Sequence, residues 1–311
     1  MYIGIDIGGT KCAVVKGRKR ENGEIEIIEK IRFETLAFRE TFEKIMTSVE
    51  ALMPCEKIGI SCGGPLDERK GIILSPPNLP GWDEVHITEE LEKRFGVPAR
   101  LCNDANACAL AEWKFGAGKG CENMIFMTFG TGLGAGLIID GNLYSGANGM
   151  AGEAGHIRLE KSGPVGYGKA GSFEGFCSGG GIARLAKAYA REALADGRIA
   201  FSCENEEKIE AINTKMIADL AKGGDRDAIE IFNRSATRLG MGLSILIDIL
   251  NPEKIVLGGI YTRCEELFSV KMQEVLKSEA LPESLSVCKI VPAALGESIG
   301  DIAALAVADS I

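Results

Sequence analysis

Asp6-Ile7-Gly8-Gly9-Thr10-Lys11 closes a short run, Tyr2 to Ile7, in which Ile3, Ile5 and Ile7 alternate with Gly4 and Asp6. Such alternation predicts a half-buried strand. Beyond the glycines the chain returns to strand-like sequence, Cys12 to Val15, and not to a helix. The pattern recurs far downstream as Thr128-Phe129-Gly130-Thr131-Gly132-Leu133-Gly134, followed by Ala135 to Ile139. A dinucleotide fold or a P-loop needs strand, glycine loop and then helix, so neither is expected here. A glycine loop inside a hairpin turns bare backbone N–H groups toward an anion, and a Thr hydroxyl adds a donor. Either loop alone also reads as a tight hairpin with no ligand. Two of them, with Asp6 and Lys11 flanking the first, imply two like halves gripping a triphosphate from opposite sides, as in an ATP-using enzyme.

The chain has 311 residues, long for one core and typical of two lobes. An apolar share of 46% with 25% charged residues fits an ordinary globular protein. A net charge of −9 argues against nucleic acid as a partner, because a phosphate-backbone binder needs a basic face. Lys16 to Arg20 is the one basic cluster and falls in an expected hairpin tip, where it reads as solvated surface. Met1 leads straight into the first strand, and no segment is long and apolar enough to span a membrane, so neither an export signal nor a membrane partner is expected. Ten cysteines stand singly with no CxxC pair, which makes a reducing cytoplasm the expected compartment.

Alternation continues over Ile25 to Phe33, and Phe38, Phe42, Ile45, Val49 and Leu52 recur at helical spacing up to Pro54. A strand is expected at Lys57 to Ser61, then a helix from Thr88 to Phe95 closed by Gly96. A strand from Ala99 to Cys102 follows, and a helix from Ala105 to about Phe115. Three prolines keep Ser75 to Trp82 out of regular structure. From Met124 the opening pattern starts again. The expected division is a small α/β lobe over 1–116, a large α/β lobe over 117–297, and a C-terminal helix, 298–311, packing back toward the small lobe. Further helices are expected at Ile182 to Ala195, Asn213 to Ala221 and Arg226 to Leu250. In the last, Gly240 and Gly242 each cost about 1 kcal/mol against Ala, so close packing on a neighbour is expected there. Lys254 to Leu257 reads as a strand ending in a third glycine turn, Gly258-Gly259.

Asn103-Asp104 lies where a strand meets a helix. A carboxylate at such a junction suits a general base, though Asp at this point also reads as a helix cap, and the two roles can coexist. Glu153 and His156 sit three apart in glycine-rich sequence and suit the holding of sugar hydroxyls, whereas His86 reads as surface.

Asp6-Ile-Gly-Gly-Thr-Lys11, Ser75-Pro-Pro-Asn-Leu-Pro-Gly-Trp82, Asn103-Asp104-Ala-Asn-Ala, Gly130-Thr-Gly-Leu-Gly-Ala-Gly136 and Gly152-Glu-Ala-Gly-His156 occur in this order along essentially the whole chain. The set resembles the ROK family of repressors, uncharacterised reading frames and sugar kinases. That resemblance implies an α/β, two-lobed actin-like ATPase (ribonuclease H-like) fold with a cleft between lobes. It implies an ATP-dependent kinase that phosphorylates a hexose, glucose by default, at the 6-hydroxyl. N-acetylmannosamine and other amino sugars or hexoses remain open as substrates. By resemblance Asp104 is the catalytic base, while Asn78, Asn103, Glu153, His156 and Glu174 hold the sugar. Asp6 stands near Mg²⁺; Gly8, Gly9, Thr10 and Lys11 lie at the phosphates, Thr131 and Gly132 at the second phosphate loop, and Gly258 and Gly259 near adenosine. The implied cofactors are ATP and Mg²⁺, and the implied partners a small-molecule sugar and ATP. Relatives are often dimers, so a homodimer stays open.

One departure stands out. Most members carry a zinc loop of the form Cys-x-Cys-Gly-x-x-Gly-Cys-x-Glu, and here the three thiolate positions are Val165, Tyr167 and Ser172. His156 and Cys177 cannot replace three sulfurs, so no structural zinc is expected. Packing by Val165 and Tyr167 with a hydrogen bond from Ser172 would hold the loop. Two other readings of the chain are a sugar-responsive repressor, disfavoured by the charge and by a first strand at Tyr2 that leaves no helix-turn-helix, and a non-catalytic sugar sensor.

Overall fold

A computed structural model describes all 311 residues. The chain opens with β1 (Tyr2–Ile7), β2 (Lys11–Lys19), β3 (Ile25–Glu34), α1 (Phe38–Leu52) and β4 (Lys57–Cys62). A two-strand ribbon of β5 (Leu66–Asp67) and β6 (Ile72–Ile73) follows, then α2 (Ile87–Phe95), β7 (Ala99–Asn103), α3 (Asp104–Phe115), β8 (Met124–Met127), β9 (Ala135–Ile139) and β10 (Asn142–Tyr144). Next come the short strands β11 (Val165–Gly166) and β12 (Lys169–Ala170), and the helices α4 (Phe173–Cys177), α5 (Gly179–Ala195), α6 (Glu206–Glu210), α7 (Thr214–Lys222) and α8 (Arg226–Leu250). The chain ends with β13 (Lys254–Leu257), α9 (Ile260–Glu279), α10 (Pro282–Val287), β14 (Lys289–Pro292) and α11 (Ile299–Asp309). None of these helices is long and apolar enough to cross a membrane.

Two compact units emerge. The first holds 1–126, 136–152 and 293–311, and the second 127–135 and 153–292. The sequence expectation placed its cuts at 116 and 297; packing instead groups residues 136–152 and 293–298 with α3. Gly136 fits against Ala109 and Asn106 with no room for a Cβ, and the buried Glu112 carboxylate accepts the backbone N–H groups of Ala294 and Leu295.

The first unit is built on a sheet of order β3-β2-β1-β4-β7. β2 runs antiparallel to β1, whereas β4 and β7 run parallel to it, with Ile7 beside Cys62 and Cys62 beside Asn103. The register therefore brings the carboxyl ends of three parallel strands to one edge, where open α/β sheets bind ligands. Ile3, Ile5, Ile7, Ile58 and Ile60 join Ile45, Val49 and Leu52 of α1 in the core. The alternation in β1 predicted one solvated face, but Gly4 is buried too. A Cβ on Gly4 would come 2.9 Å from Ala304, and one on Gly59 only 2.1 Å from its carbonyl oxygen. Bare backbone at these two points lets the alanine-rich α11 lie directly on the sheet, so both faces are covered.

In the second unit β13 pairs in parallel with β14. The apolar stripe expected over 226–250 is buried along α8, from Phe232 and Ala236 to Leu243 and Leu246. Both helix glycines meet close neighbours: a Cβ at Gly242 would fall 2.3 Å from the Phe173 ring, and one at Gly240 2.7 Å from Val275 of α9. The sequence reading had no helix at α9, although Tyr261, Cys264, Phe268, Met272 and Leu276 recur every three or four residues and are all buried. All ten cysteines are free thiols.

Candidate functional site

In the first unit, Asp6 is the penultimate residue of β1 and faces α11, where Gly300 has no side chain to displace its carboxylate; a Cβ there would come 2.9 Å from Oδ2. Burial, reinforced by the carboxylates of Asp301 and Asp104, pushes the Asp6 pKa up to about 6 against the pull of Lys30 and Arg32. Lys30 Nζ is itself paired to Asp301 Oδ2 at 2.5 Å. Asp301 was not foreseen, since a single Asp opening an alanine-rich helix carries no signal until the helix is placed on β1.

The first glycine loop turns tightly, with the Gly8 N–H donating to Lys11 O at 3.1 Å and Gly8 O accepting the Thr35 hydroxyl at 2.6 Å. Gly9, Thr10 and Lys11 are exposed. Asn78 belongs beside this loop: a Cβ on Gly9 would approach its Cβ to 2.7 Å. The proline segment holds Asn78 there by turns, with the buried Trp82 and Leu79 as its anchors.

Asn103 ends β7 and caps α3, its Oδ1 accepting the Ala105 N–H at 3.0 Å. The capping role read at Asp104 thus falls on Asn103. Asp104 is the first helical residue, and its Oδ1 also accepts from Ala105 N at 2.8 Å. Its side chain is open to water on one side, yet dense protein elsewhere around it desolvates the carboxylate and raises its pKa, against two backbone hydrogen bonds. Asp6, Gly8–Lys11, Asn78, Asn103 and Asp104 therefore share one edge of the first sheet. His86 is exposed, 3.6 Å from Glu89.

The second unit gathers the rest around its own glycine loop. Gly130 N donates to Gly132 O at 3.1 Å, the Thr128 N–H donates to Gly134 O at 2.9 Å, and Thr131 is exposed. Glu174 Oε2 accepts the Leu133 N–H at 3.1 Å, so one carboxylate oxygen is already committed to this loop. Gly155 lies against Leu133 O with no space for a Cβ, which places the turn Glu153–His156 on the same loop. The Lys169 ammonium donates to His156 O at 2.7 Å, and the exposed His156 and Tyr167 rings meet edge-on at 6.2 Å. Gly258 N donates to Met127 O at 2.9 Å. Gly259, at φ 60°, sits where a Cβ would meet Phe129 O at 2.1 Å. Only glycine combines that backbone angle with that approach.

The segment 163–175 is held differently from the expectation. Val165 and Tyr167 are exposed, and neither packs into the core; the Tyr167 ring touches only the His156 edge. Ser172, by contrast, is fully buried; its Oγ caps α4 by accepting the Gly175 N–H at 3.1 Å and donates to Gly166 O at 3.4 Å. Arg158 donates to Ala170 O at 2.6 Å, and Arg238 of α8 pairs with Glu160 at 3.1 Å. Charged side chains reach backbone carbonyls from outside, a device that a short apolar residue on a two-strand ribbon cannot supply.

Residues 2–311 match the ROK family profile. The chain is 31% identical over 312 residues to a glucokinase of Thermotoga maritima, covering 98% of this chain and 96% of that one. It is 32% identical over 224 residues to a xylose repressor of Caldicellulosiruptor bescii, covering 72% of this chain and 55% of that one. Among solved structures it is similar to a ROK family glucokinase from Streptomyces griseus in complex with glucose and AMPPNP, with TM-score 0.76, 30% identity and 100% and 99% coverage. The chain belongs to the ROK family and has its α/β, two-lobed actin-like ATPase fold.

Proposed function

We propose that this protein is an ATP-dependent sugar kinase that transfers the γ-phosphoryl group to the 6-hydroxyl of a hexose, glucose foremost. The observation that carries the reading is the placement of Asp104 at the strand–helix junction, on the same sheet edge as Asp6 and the Gly8–Lys11 loop. The glucokinase relatives support it.

In this reading Asp104 accepts the proton of the attacking hydroxyl, which suffices because phosphoryl transfer rests on positioning and charge neutralisation. Asn78, Asn103, Glu153, His156 and Glu174 orient the sugar. Gly8, Gly9, Thr10 and Lys11, with Thr131 and Gly132, hold phosphate oxygens, and Gly258 and Gly259 border adenosine. The carboxylate of Asp6 fits a hydrated Mg²⁺, an ion that keeps several waters and uses few protein oxygens; bound there with ATP, it supplies charge neutralisation at the phosphates. The donors of the 163–175 segment do not fit zinc, since a buried, committed serine and two exposed non-ligands stand where thiolates are needed. Metal analysis of protein purified without chelator is expected to show no stoichiometric zinc; one zinc per chain refutes this.

The test of the main reading is ADP release with a panel of hexoses and amino sugars, run on the wild type and on Asp104→Asn. A 6-phosphorylated product is expected, with kcat falling by roughly 10²- to 10⁴-fold in the variant and little change in sugar affinity. Unchanged turnover in Asp104→Asn removes Asp104 as the base. Sugar binding with no turnover in the wild type favours a non-catalytic sugar sensor.

A further inference from the structure

Outside the residues assigned so far, one carboxylate collects three donors from two separate segments. Glu68 stands half-buried in the turn after β5. Its Oε1 accepts the Asn103 backbone N–H at 2.8 Å and the Asn106 side-chain amide at 3.1 Å, and its Oε2 accepts the Ser145 hydroxyl at 3.2 Å. The next residue, Arg69, donates to Gly146 O at 3.4 Å.

The two donors on Oε1 come from the residue before Asp104 and from the residue two after it. The pair brackets the peptide from which the Asp104 side chain projects. An ionised carboxylate only accepts, so Asn106 must turn its amide nitrogen toward Glu68. Its Oδ1 is then left buried with no hydrogen-bond partner. An unsatisfied buried acceptor is destabilising, and a leucine or alanine at this position would avoid it. The amide is therefore not explained by packing. Its one hydrogen bond joins the first turn of α3 to Glu68.

We propose that Glu68 is a positioning residue for Asp104: through Asn103 and Asn106 it fixes the first turn of α3, and through Ser145 it ties that turn to the segment after β10. The proposal rests on Asp104 being the base. Glu68 touches neither sugar nor nucleotide in this scheme and acts through the geometry of another group. A misplacement of about 1 Å at a reacting group costs on the order of 10²-fold in rate.

The test compares Glu68→Ala and Glu68→Gln by steady-state kinetics and by backbone amide exchange over residues 103–107. Glu68→Ala is expected to lower kcat by roughly 10- to 100-fold, with both KM values within about threefold of the wild type. Glu68→Gln keeps an oxygen for Asn103 and Asn106 and offers an N–H to the Ser145 oxygen, so its kcat should stay within about threefold. Faster amide exchange at Ala105 to Ala107 is expected in Glu68→Ala alone. Wild-type kcat and exchange in Glu68→Ala overturn the proposal, and so does a Gln variant as slow as the Ala variant. If Glu68→Ala does not fold, Asn106→Ala removes one of the two donors and should give a smaller fall in kcat; unchanged kcat there overturns the proposal. A wild type inactive on every sugar sinks the kinase reading, while the exchange measurement still decides whether Glu68 holds the turn.

Discussion

Asp6 is a single buried carboxylate that weighs against the stability of the fold. Its pKa of about 6 means that the folded state holds the proton more tightly than the unfolded chain, whose Asp titrates near 3.9. The folded state binds more protons between these values, so stability falls as pH rises from about 4 to about 6 and the loss persists at neutral pH. Asp6→Asn removes a buried charge and, with it, the repulsion from Asp301 and Asp104. It is expected to raise stability at pH 7 by at most about 3 kcal/mol, and to flatten the wild-type slope between pH 4 and 6, while lowering kinase activity. Urea unfolding of both proteins at pH 4, 6 and 7.5 checks this; an Asn variant less stable at pH 7.5 contradicts it. The motif around Asp6 was legible in the sequence because glycines and a carboxylate in fixed order announce themselves. Asp301, Lys30 and Glu68 were not, since each lies far along the chain from the group that it acts on.

At the scale of elements, α11 is the piece on which the first unit's geometry turns. It lies on β1 and β4 because Gly4 and Gly59 bring no Cβ between backbone and helix. Gly59→Ala would push a methyl group to 2.1 Å from Ala304 O and 2.4 Å from Ala308 N, and it is expected to cost about 3 kcal/mol of stability, read as a drop in Tm. Activity should fall with it, because α11 carries Gly300 past Asp6. An unchanged Tm means that α11 can shift freely. Helix boundaries such as Phe38–Leu52 and Arg226–Leu250 followed from spacing and stop signals. The ribbon around Val165 and Tyr167 did not follow, because whether a short apolar residue packs depends on what lies above it, which two-residue strands do not reveal.

For the whole molecule, the net charge of −9 argues against a nucleic-acid partner, while the two glycine loops suit the phosphates of a small ligand. Ligands that bind only the folded state raise its stability, by about 2.7 kcal/mol at a hundred times Kd. An upward shift in Tm is expected with ATP and Mg²⁺, and again with the sugar that the enzyme uses. Duplex DNA at low salt should give none, since the counterion-driven affinity of a DNA binder needs many basic contacts. A shift with DNA and none with sugar would favour a regulator.

The sequence by itself determined the family, the α/β class, and the order of the two glycine loops and the Asn103-Asp104 pair, because backbone conformation at glycine and the period of apolar residues are local properties. Only the tertiary structure decided which residues press on those groups: the α11 backbone on β1, Glu68 under the first turn of α3, and Glu174 bound to the Leu133 N–H. Contacts of this kind form between segments tens to hundreds of residues apart, and no local pattern in the chain encodes them.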